Sequence, residues 1–231
     1  MRRVSTQSVP KRGRDPDENE DAVATDPTAG WFAVADGVSR SARSDVWSRL
    51  LVDGWVATSG HVLEPEPLAQ LARQWVRETT DDDLPWYAVE KLAQGSSATL
   101  VGLHLERSRH CYTAQAVGDS CLLHVRRTAL VRSFPLQHSS EFNHVPRQIR
   151  TDSPLTPEPE TLQANFVDGD VLVLASDALA CFLLRVHETR GELSVVHDLA
   201  NRRGVFDDWV DVHRRGGQLA NDDTTICVIR T

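Results

Sequence analysis

Short apolar runs alternate along this chain with stretches in which apolar residues recur three or four positions apart. Residues 5–30 are polar and rich in proline and acid, so composition predicts a loop with at most one short strand. The run 31–35 then predicts a buried strand. Helical spacing of apolar residues predicts three helices, over about 41–55, 68–76 and 86–94.

The second half has a strand-rich pattern. Apolar runs at 98–105, 111–117, 121–125 and 128–131 predict a meander of short antiparallel strands, too closely spaced for helical crossovers. Segment 134–161 contains five prolines and is predicted to be irregular. A buried strand at 171–175, an apolar helix from Ala178, a helical stripe over 206–213 and a final strand at 224–229 complete the pattern. It predicts one α+β domain over residues 1–231, with helices covering antiparallel sheet.

Charge and cysteine content exclude several classes of protein. The chain has 25 basic and 33 acidic residues, a net charge of −8, and its basic residues are scattered. This disfavours nucleic-acid and anionic-membrane binding. Four cysteines without Cys-x-x-Cys spacing predict buried, reduced thiols rather than disulfides or zinc ligands. With no secretory signal and no apolar run long enough to span a membrane, we expect a cytoplasmic protein.

Acidic residues stand where apolar runs end or begin. The run at 31–35 stops at Asp36-Gly37, and comparable acids follow two other runs or precede the last one. Each acid alone fits a turn or a helix cap. The acids in question are Glu20, Asp21, Asp36, Asp119, Asp177 and Asp222.

Taken together, these acids predict a metal site. Carboxylates brought together from several strand ends repel one another unless divalent cations lie between them. Oxygen ligands without histidine or cysteine favour Mg²⁺ or Mn²⁺ over zinc. Two such ions about 3.5–4 Å apart are suited to phosphate-ester hydrolysis. The chain has neither a Gly-x-Ser-x-Gly elbow nor a phosphate-binding Gly-x-x-x-x-Gly-Lys loop, which excludes serine hydrolases and nucleotide-driven enzymes of those types.

The order of the motifs resembles the metal-dependent protein phosphatase 2C family, from about residue 19 to the C-terminus. Each motif is short, and the combination is specific. The motifs are Asn19-Glu-Asp-Ala, Val34-Ala-Asp-Gly-Val, Gly95-Ser-Ser-Ala-Thr-Leu, Val117-Gly-Asp-Ser, Leu174-Ala-Ser-Asp-Ala-Leu and Asn221-Asp-Asp-Thr-Thr.

The resemblance implies a fold and an activity. The fold would be two antiparallel β-sheets packed face to face with helices outside, an α/β/β/α sandwich. The activity would be hydrolysis of phosphoserine and phosphothreonine in proteins by a metal-activated water bridging two divalent ions, Mn²⁺ or Mg²⁺. Its partners would be a phosphorylated protein and a kinase on a separate chain. Two alternatives stay open: a non-catalytic phosphoprotein-binding regulator, and a metal phosphatase of small phosphate esters.

The resemblance also implies roles for individual residues. Asp36 would bridge both metals, and the backbone carbonyl of Gly37 would bind one of them. Asp177 and Asp222 would complete the other metal's ligands, while Glu20 and Asp21 would hold metal-bound waters. Asp119 would hold a weak third metal.

Three features depart from or vary within the family pattern. Pro16 stands where an arginine usually binds the substrate phosphate, which leaves Arg12 or Arg14 as weaker candidates. Cys181 replaces an acid that many members use for the third metal, so we expect Asp119 to bind its ion poorly. Segment 134–161 corresponds to a variable flap. Within it, His138 and His144 are candidates for substrate contact or proton donation.

Overall fold

The computed structural model describes residues 4–81, 84–153, 158–201 and 205–231. Two antiparallel sheets pack face to face and helices cover their outer faces, which confirms the expected α/β/β/α sandwich. The strands are β1 (Val4–Val9), β2 (Ala22–Asp26), β3 (Trp31–Gly37), β4 (Ser97–Glu106), β5 (Cys111–Val117), β6 (Cys121–Arg126), β7 (Ala129–Phe134), β8 (Ile149–Arg150), β9 (Glu160–Asn165), β10 (Val171–Ala175) and β11 (Thr224–Arg230). The helices are α1 (Ser44–Ala57), α2 (Pro65–Thr79), α3 (Trp86–Ala93), α4 (Asp177–Arg190), α5 (Val195–Asn201) and α6 (Phe206–Arg215).

One sheet has the order β1-β11-β10-β6-β7, and the other has β2-β3-β4-β5-β9 with β8 paired to β4. Because side chains alternate across a strand, the central strands bury both faces. In β3, Phe32 and Val34 pack between the sheets, whereas Ala33 and Ala35 pack under α1. In β10, Leu172 and Leu174 likewise lie between the sheets, and their neighbours pack against α4.

The four predicted strands between residues 98 and 131 are present, but they do not form one meander. β4 and β5 pair in one sheet, and β6 and β7 pair in the other. The chain changes sheet at Gly118, where φ is +103°, a conformation that glycine adopts without strain. Asp119 lies in this crossover, between the end of β5 and the start of β6.

Two more parts of the sequence are more ordered than predicted. Residues 5–30 contain two strands, β1 and β2, where at most one was expected. The segment 134–161 contains a short 3-10 helix (Ser139–Asn143), β8 and the start of β9. Residues 154–157 of this segment lie outside the described residues. Within the described ranges, no helix is both long enough and apolar enough to cross a membrane.

Candidate active site

The first two acids meet because β2 and β3 are paired in register. Ala22 lies opposite Ala35, and one step further along the same register brings Asp21 opposite Asp36. The backbone N–H of Gly37 donates to the carbonyl of Glu20 at 3.1 Å, which shows that the register continues to this point. Since Asp36 follows Phe32 and Val34 at alternate positions, its side chain lies on the face between the sheets.

Gly37 permits this close approach. A β-carbon at position 37 would lie 2.6 Å from the carbonyl oxygen of Glu20 and 2.8 Å from the β-carbon of Ser44. Glycine is therefore required here by backbone packing. The neighbouring Glu20 side chain is fully engaged: it accepts hydrogen bonds from Ser44 Oγ at 2.7 Å, Ser39 Oγ at 2.5 Å and Lys11 Nζ at 2.8 Å.

Asp177 reaches the same place from the other sheet. It follows the buried strand β10 and begins α4, where one of its carboxylate oxygens accepts the backbone N–H of Ala178. The N-cap position of α4 is therefore occupied by Ser176, and Asp177 is the first helical residue. Its carboxyl group also lies within hydrogen-bonding reach of Asp36. Two carboxyl groups in such contact can share a proton or a cation, and cannot both be ionised there at low cost.

Asp222 and Asp223 precede β11 and have different surroundings. Asp223 is 3% exposed and accepts backbone N–H groups from Lys11 at 2.7 Å and Glu20 at 2.8 Å, so it fixes the N-terminal loop to the site. The Asp222 side chain is 50% exposed, and its backbone carbonyl is held by the buried Arg214. Asp222 therefore presents a solvent-accessible carboxylate at the rim.

Four acids of this cluster have raised pKa values. Burial and the neighbouring acids Asp223 and Asp177 raise the pKa of Asp21 to about 8. Burial, with a contribution from Asp177, raises the pKa of Asp119 to about 7. Burial, with the charges of Asp21 and Asp177, raises the pKa of Asp36. Burial, with the charge of Asp222, raises the pKa of Asp177, although a hydrogen bond with Asp36 opposes the rise. Raised pKa values at these four acids indicate that cationic groups among the described residues do not compensate their charge.

Divalent metal ions fit the chemistry of this donor set. Both carboxylate oxygens of Asp21 are buried, and among the described residues neither accepts a hydrogen bond of ordinary geometry. The hydroxyl groups of Ser176 and Thr225 lie near enough to oppose the rise in its pKa, but they do not outweigh burial. Carboxylates together with a backbone carbonyl are the ligands of hard ions such as Mg²⁺ and Mn²⁺. In the described part of the chain, however, no three acidic, histidine or cysteine side chains already converge as metal ligands. The fit therefore rests on donor chemistry and on the buried carboxylate of Asp21, and binding would draw the carboxylates closer together.

The family model of protein phosphatase 2C matches residues 12–223, most of the chain and all of the acids described above. This chain belongs to the protein phosphatase 2C family. Members of this family are metal-dependent protein serine/threonine phosphatases, so the chain is a hydrolase of phosphoproteins that depends on divalent metal. No curated protein sequence matches it significantly.

Solved structures share the phosphatase fold. The catalytic domain of the serine/threonine phosphatase PstP, solved with two manganese ions, has a TM-score of 0.65 and 19% identity, covering 99% of this chain and 97% of that chain. MsPP from Mycobacterium smegmatis, solved with cacodylate, has a TM-score of 0.62 and 20% identity, with the same coverage. PppA, a regulatory component of T6SS in Pseudomonas aeruginosa, has a TM-score of 0.60 and 22% identity, again with that coverage. At these identities the comparison concerns the fold.

Lys11 lies beside this acid cluster, and the sequence reasoning missed it. Its side chain is 18% exposed, and its ammonium lies 2.8 Å from Glu20 and 4.0 Å from Asp222. The guanidinium of Arg12 lies instead 3.2 Å from Asp211 of α6, and that of Arg14 lies 2.5 Å from Glu18. A signal was present in the sequence, since Lys11 directly precedes Arg12 and stands three residues before Arg14 in a segment otherwise rich in acid.

The flap lines one side of a cleft next to the acid cluster. Ser139, Ser140 and Phe142 of its 3-10 helix line a cleft that also contains Asp177 and Cys181. This cleft has a volume of about 510 Å³.

The two flap histidines lie elsewhere. His138 lines a separate cleft with Glu188, and its Nδ1 lies 3.7 Å from that carboxylate. His144 is exposed. Neither histidine lines the cleft beside Asp177, and their roles in substrate contact or proton donation remain predictions.

Proposed function

We propose that the acid cluster of this chain hydrolyses phosphoserine and phosphothreonine esters with two divalent ions, Mn²⁺ or Mg²⁺. One observation carries the proposal: the buried carboxylate of Asp21, beside the contacting pair Asp36 and Asp177, has no cationic partner among the described residues. A fold that leaves buried carboxylates uncompensated favours occupation by cations.

Each ligand has a role in this proposal. Asp36 would bridge the two ions, the carbonyl of Gly37 would bind one, and Asp177 and Asp222 would bind the other. Glu20 and Asp21 would orient waters, and Asp119 would serve a weaker third ion. When bound, the ions would supply an activated water and neutralise charge on the phosphoryl group.

The substrate phosphate also needs a cation of the protein. We assign this role to Lys11 before Arg12 or Arg14, because its ammonium lies 2.8 Å from Glu20 and 4.0 Å from Asp222, whereas the two arginines pair with acids outside the cluster. Its ammonium is held by Glu20 and Ser39 at the rim, close to the accessible carboxylate of Asp222. A lysine can bind a phosphate as a point charge without bidentate geometry.

The substrate would be made by a kinase on a separate chain. We place the reaction in the cytoplasm, because all four cysteines are free and a reducing compartment maintains thiols.

The test measures phosphate release from an aryl phosphate and from a phosphothreonine peptide, with Mn²⁺, with Mg²⁺ and with a chelator. Wild type should release phosphate with either ion and not in chelator. Asp36→Asn should reduce turnover at least about a hundredfold, because it removes the bridging charge. Asp53→Asn, on the exposed face of α1, is the matched control and should behave as wild type.

Two outcomes would count against the proposal. More than a tenth of wild-type activity in Asp36→Asn would remove its bridging role. Binding of manganese without any turnover by the folded wild-type protein would favour the regulatory alternative, and equal turnover of phosphopeptides and sugar phosphates would favour the small-molecule alternative.

A further inference from the structure

A continuous groove runs along α4 away from the acid cluster. Its inner part is the cleft of about 510 Å³ that begins at Asp177. Its outer part, of about 350 Å³, extends past Arg185 to Arg190. The two parts share Phe182, Arg185 and residues 217–218 as lining. We call this space the α4 groove: it lies between one face of α4, from Asp177 to Arg190, and residues 217–220.

Helical periodicity builds the α4 wall of this groove. Asp177, Cys181, Arg185 and Thr189 recur every four residues and therefore lie on one face of the helix. Phe182 is 7% exposed and lies beside this row, so it provides an apolar floor. A groove with an apolar floor and a polar row beside it suits an extended peptide.

The charge of the groove changes from one end to the other. Asp177 is the acid at the inner end, and no other acidic residue lines either part within the described residues. Arg185 and Arg190 are both exposed along the outer part, and neither lies within ion-pair distance of a carboxylate in the described part of the chain. The outer groove is thus positive without an internal counter-charge.

The Arg185 guanidinium is positioned across the groove. One nitrogen donates to the carbonyl of Gln218 on the opposite wall, at 3.5 Å, and another lies 3.5 Å from the sulfur of Cys181. These two contacts orient the group and leave further N–H donors for a ligand, since a guanidinium has five.

Cys181 keeps this positive charge available. A carboxylate at position 181 would lie four residues before Arg185 and could pair with it along the helix. Burial instead raises the pKa of the Cys181 thiol, which stays neutral. The side chain nearest to Arg185 therefore orients the guanidinium without neutralising it.

We propose that the α4 groove binds the part of the phosphoprotein substrate next to the phosphorylated residue, and that Arg185 binds an acidic side chain of that segment. The proposal rests on the proposed function, since it takes the phosphate to lie at the acid cluster. Arg185 is about 12 Å along the helix from Asp177. An extended peptide advances about 3.3 Å per residue, so the acid recognised would lie about three or four residues from the phosphorylated residue.

The test compares five phosphothreonine peptides of equal length. The reference peptide has glutamine at the third and fourth positions from the phosphothreonine on both sides. Two peptides have glutamate at the third and fourth positions, one on the N-terminal side and one on the C-terminal side. The last two have glutamate at the first and second positions, again one on each side. We expect kcat/KM to rise about tenfold for glutamate at the third and fourth positions on one side, as for a charge-assisted hydrogen bond at a partly exposed site. This preference should decrease with added salt.

Variants show which residue causes the preference, measured as the ratio of kcat/KM for the preferred glutamate peptide to kcat/KM for the glutamine peptide. Arg185→Gln should reduce this ratio to about one, and Arg185→Lys should retain part of the preference. Cys181→Asp should lower the ratio by supplying an internal partner for Arg185, whereas Cys181→Ser should keep it. Arg73→Gln removes an exposed arginine of α2 that pairs with Glu66, and it should keep the wild-type ratio. Because each ratio is measured on a single variant, it does not depend on that variant's metal content.

The outcomes separate the two proposals. Equal rates on all five peptides, or a preference that survives Arg185→Gln, would overturn the groove proposal while leaving the proposed function intact. If no peptide is hydrolysed, the proposed function fails, and binding of fluorescent versions of the peptides to Asp36→Asn then decides the groove. Tighter binding of one glutamate peptide, lost on adding Arg185→Gln, would support it, and equal binding would overturn it.

Discussion

Strand β10 has an acid beyond each of its ends, and the protein treats the two in opposite ways. Asp170, before the strand, is 1% exposed and accepts hydrogen bonds from Arg126, twice at 2.9 Å, and from His124 at 2.8 Å. Asp177, after the strand, contacts another carboxylate, Asp36. One acid is paired within the fold, whereas the other lacks a cationic partner within the described residues.

The pKa values follow this difference. Burial alone would raise the pKa of Asp170, but hydrogen bonds from Arg126, from the backbone of Val167 and from His124 outweigh it and lower the pKa below its usual range. Burial raises the pKa of Asp177, and the charge of Asp222 adds to the rise. Burial is thus common to both ends, and what separates them is whether the fold supplies a cation. This is the physical criterion that distinguishes a structural acid from a metal-binding acid.

The largest effect that we expect from this difference is a loss of folding stability when Asp170 is changed. Asp170→Asn should lower the free energy of unfolding by about 2 kcal/mol, because it removes the charge that Arg126 and His124 face. The loss should be smaller than for a fully buried pair, since the Arg126 side chain is 45% exposed and can turn to solvent. Urea unfolding measures it, with Asp53→Asn on α1 as control. Unfolding of Asp170→Asn at the wild-type midpoint would show that this network is not stabilising.

The acid cluster at the other end of β10 should make the metal-free protein less stable as pH rises. Asp21 has a pKa of about 8 in the folded protein and about 3.9 when unfolded, so between these values the folded state binds a proton that the unfolded state does not. Stability is then greatest below the unfolded pKa and declines as pH rises towards 8, by at most about 1.4 kcal/mol per pH unit for one such group.

Thermal unfolding in chelator from pH 5 to pH 8 measures this decline, and Mn²⁺ should reduce it by binding the ionised carboxylates. Asp36→Asn should raise metal-free stability at pH 8, since it removes a repelling charge. A metal-free melting temperature that increases from pH 5 to pH 8, in wild type and in Asp36→Asn alike, would contradict the proposed repulsion among these acids.

The sequence revealed the acids more readily than their partners. Asp36, Asp119 and Asp177 each end an apolar run, so local pattern alone placed them at strand ends. Whether those ends meet depends on strand register and on the change of sheet at Gly118, which are long-range properties. The motif order of the family supplied what local pattern could not.

Other features could not be predicted from the sequence, because they too depend on how the chain packs and not on local pattern. Asp223 follows the expected ligand Asp222 in its motif and was given no role from sequence, but it fixes the N-terminal loop through two backbone hydrogen bonds. Strand β9 is an edge strand with half-exposed residues such as Leu162 and Ala164, so its apolar pattern is weak. The pair formed by His124 and Asp170 joins residues 46 positions apart, and neither residue type alone indicates a structural network.

The smallest effect that we expect concerns Lys11, whose ammonium lies 2.8 Å from Glu20 at the rim of the acid cluster. Lys11→Gln should raise KM for a phosphothreonine peptide about fivefold, with a smaller effect on kcat, because a partly exposed charge contributes modestly to phosphate binding. Arg14→Gln, which removes an arginine paired with Glu18, is the control and should leave KM near the wild-type value.

Lys11 also holds Glu20, so manganese affinity is measured for the same variants to separate phosphate binding from a disturbed metal site. If Lys11→Arg restores KM and manganese affinity is unchanged throughout, the lysine binds phosphate; a raised KM in Arg14→Gln with none in Lys11→Gln would return that role to the arginine.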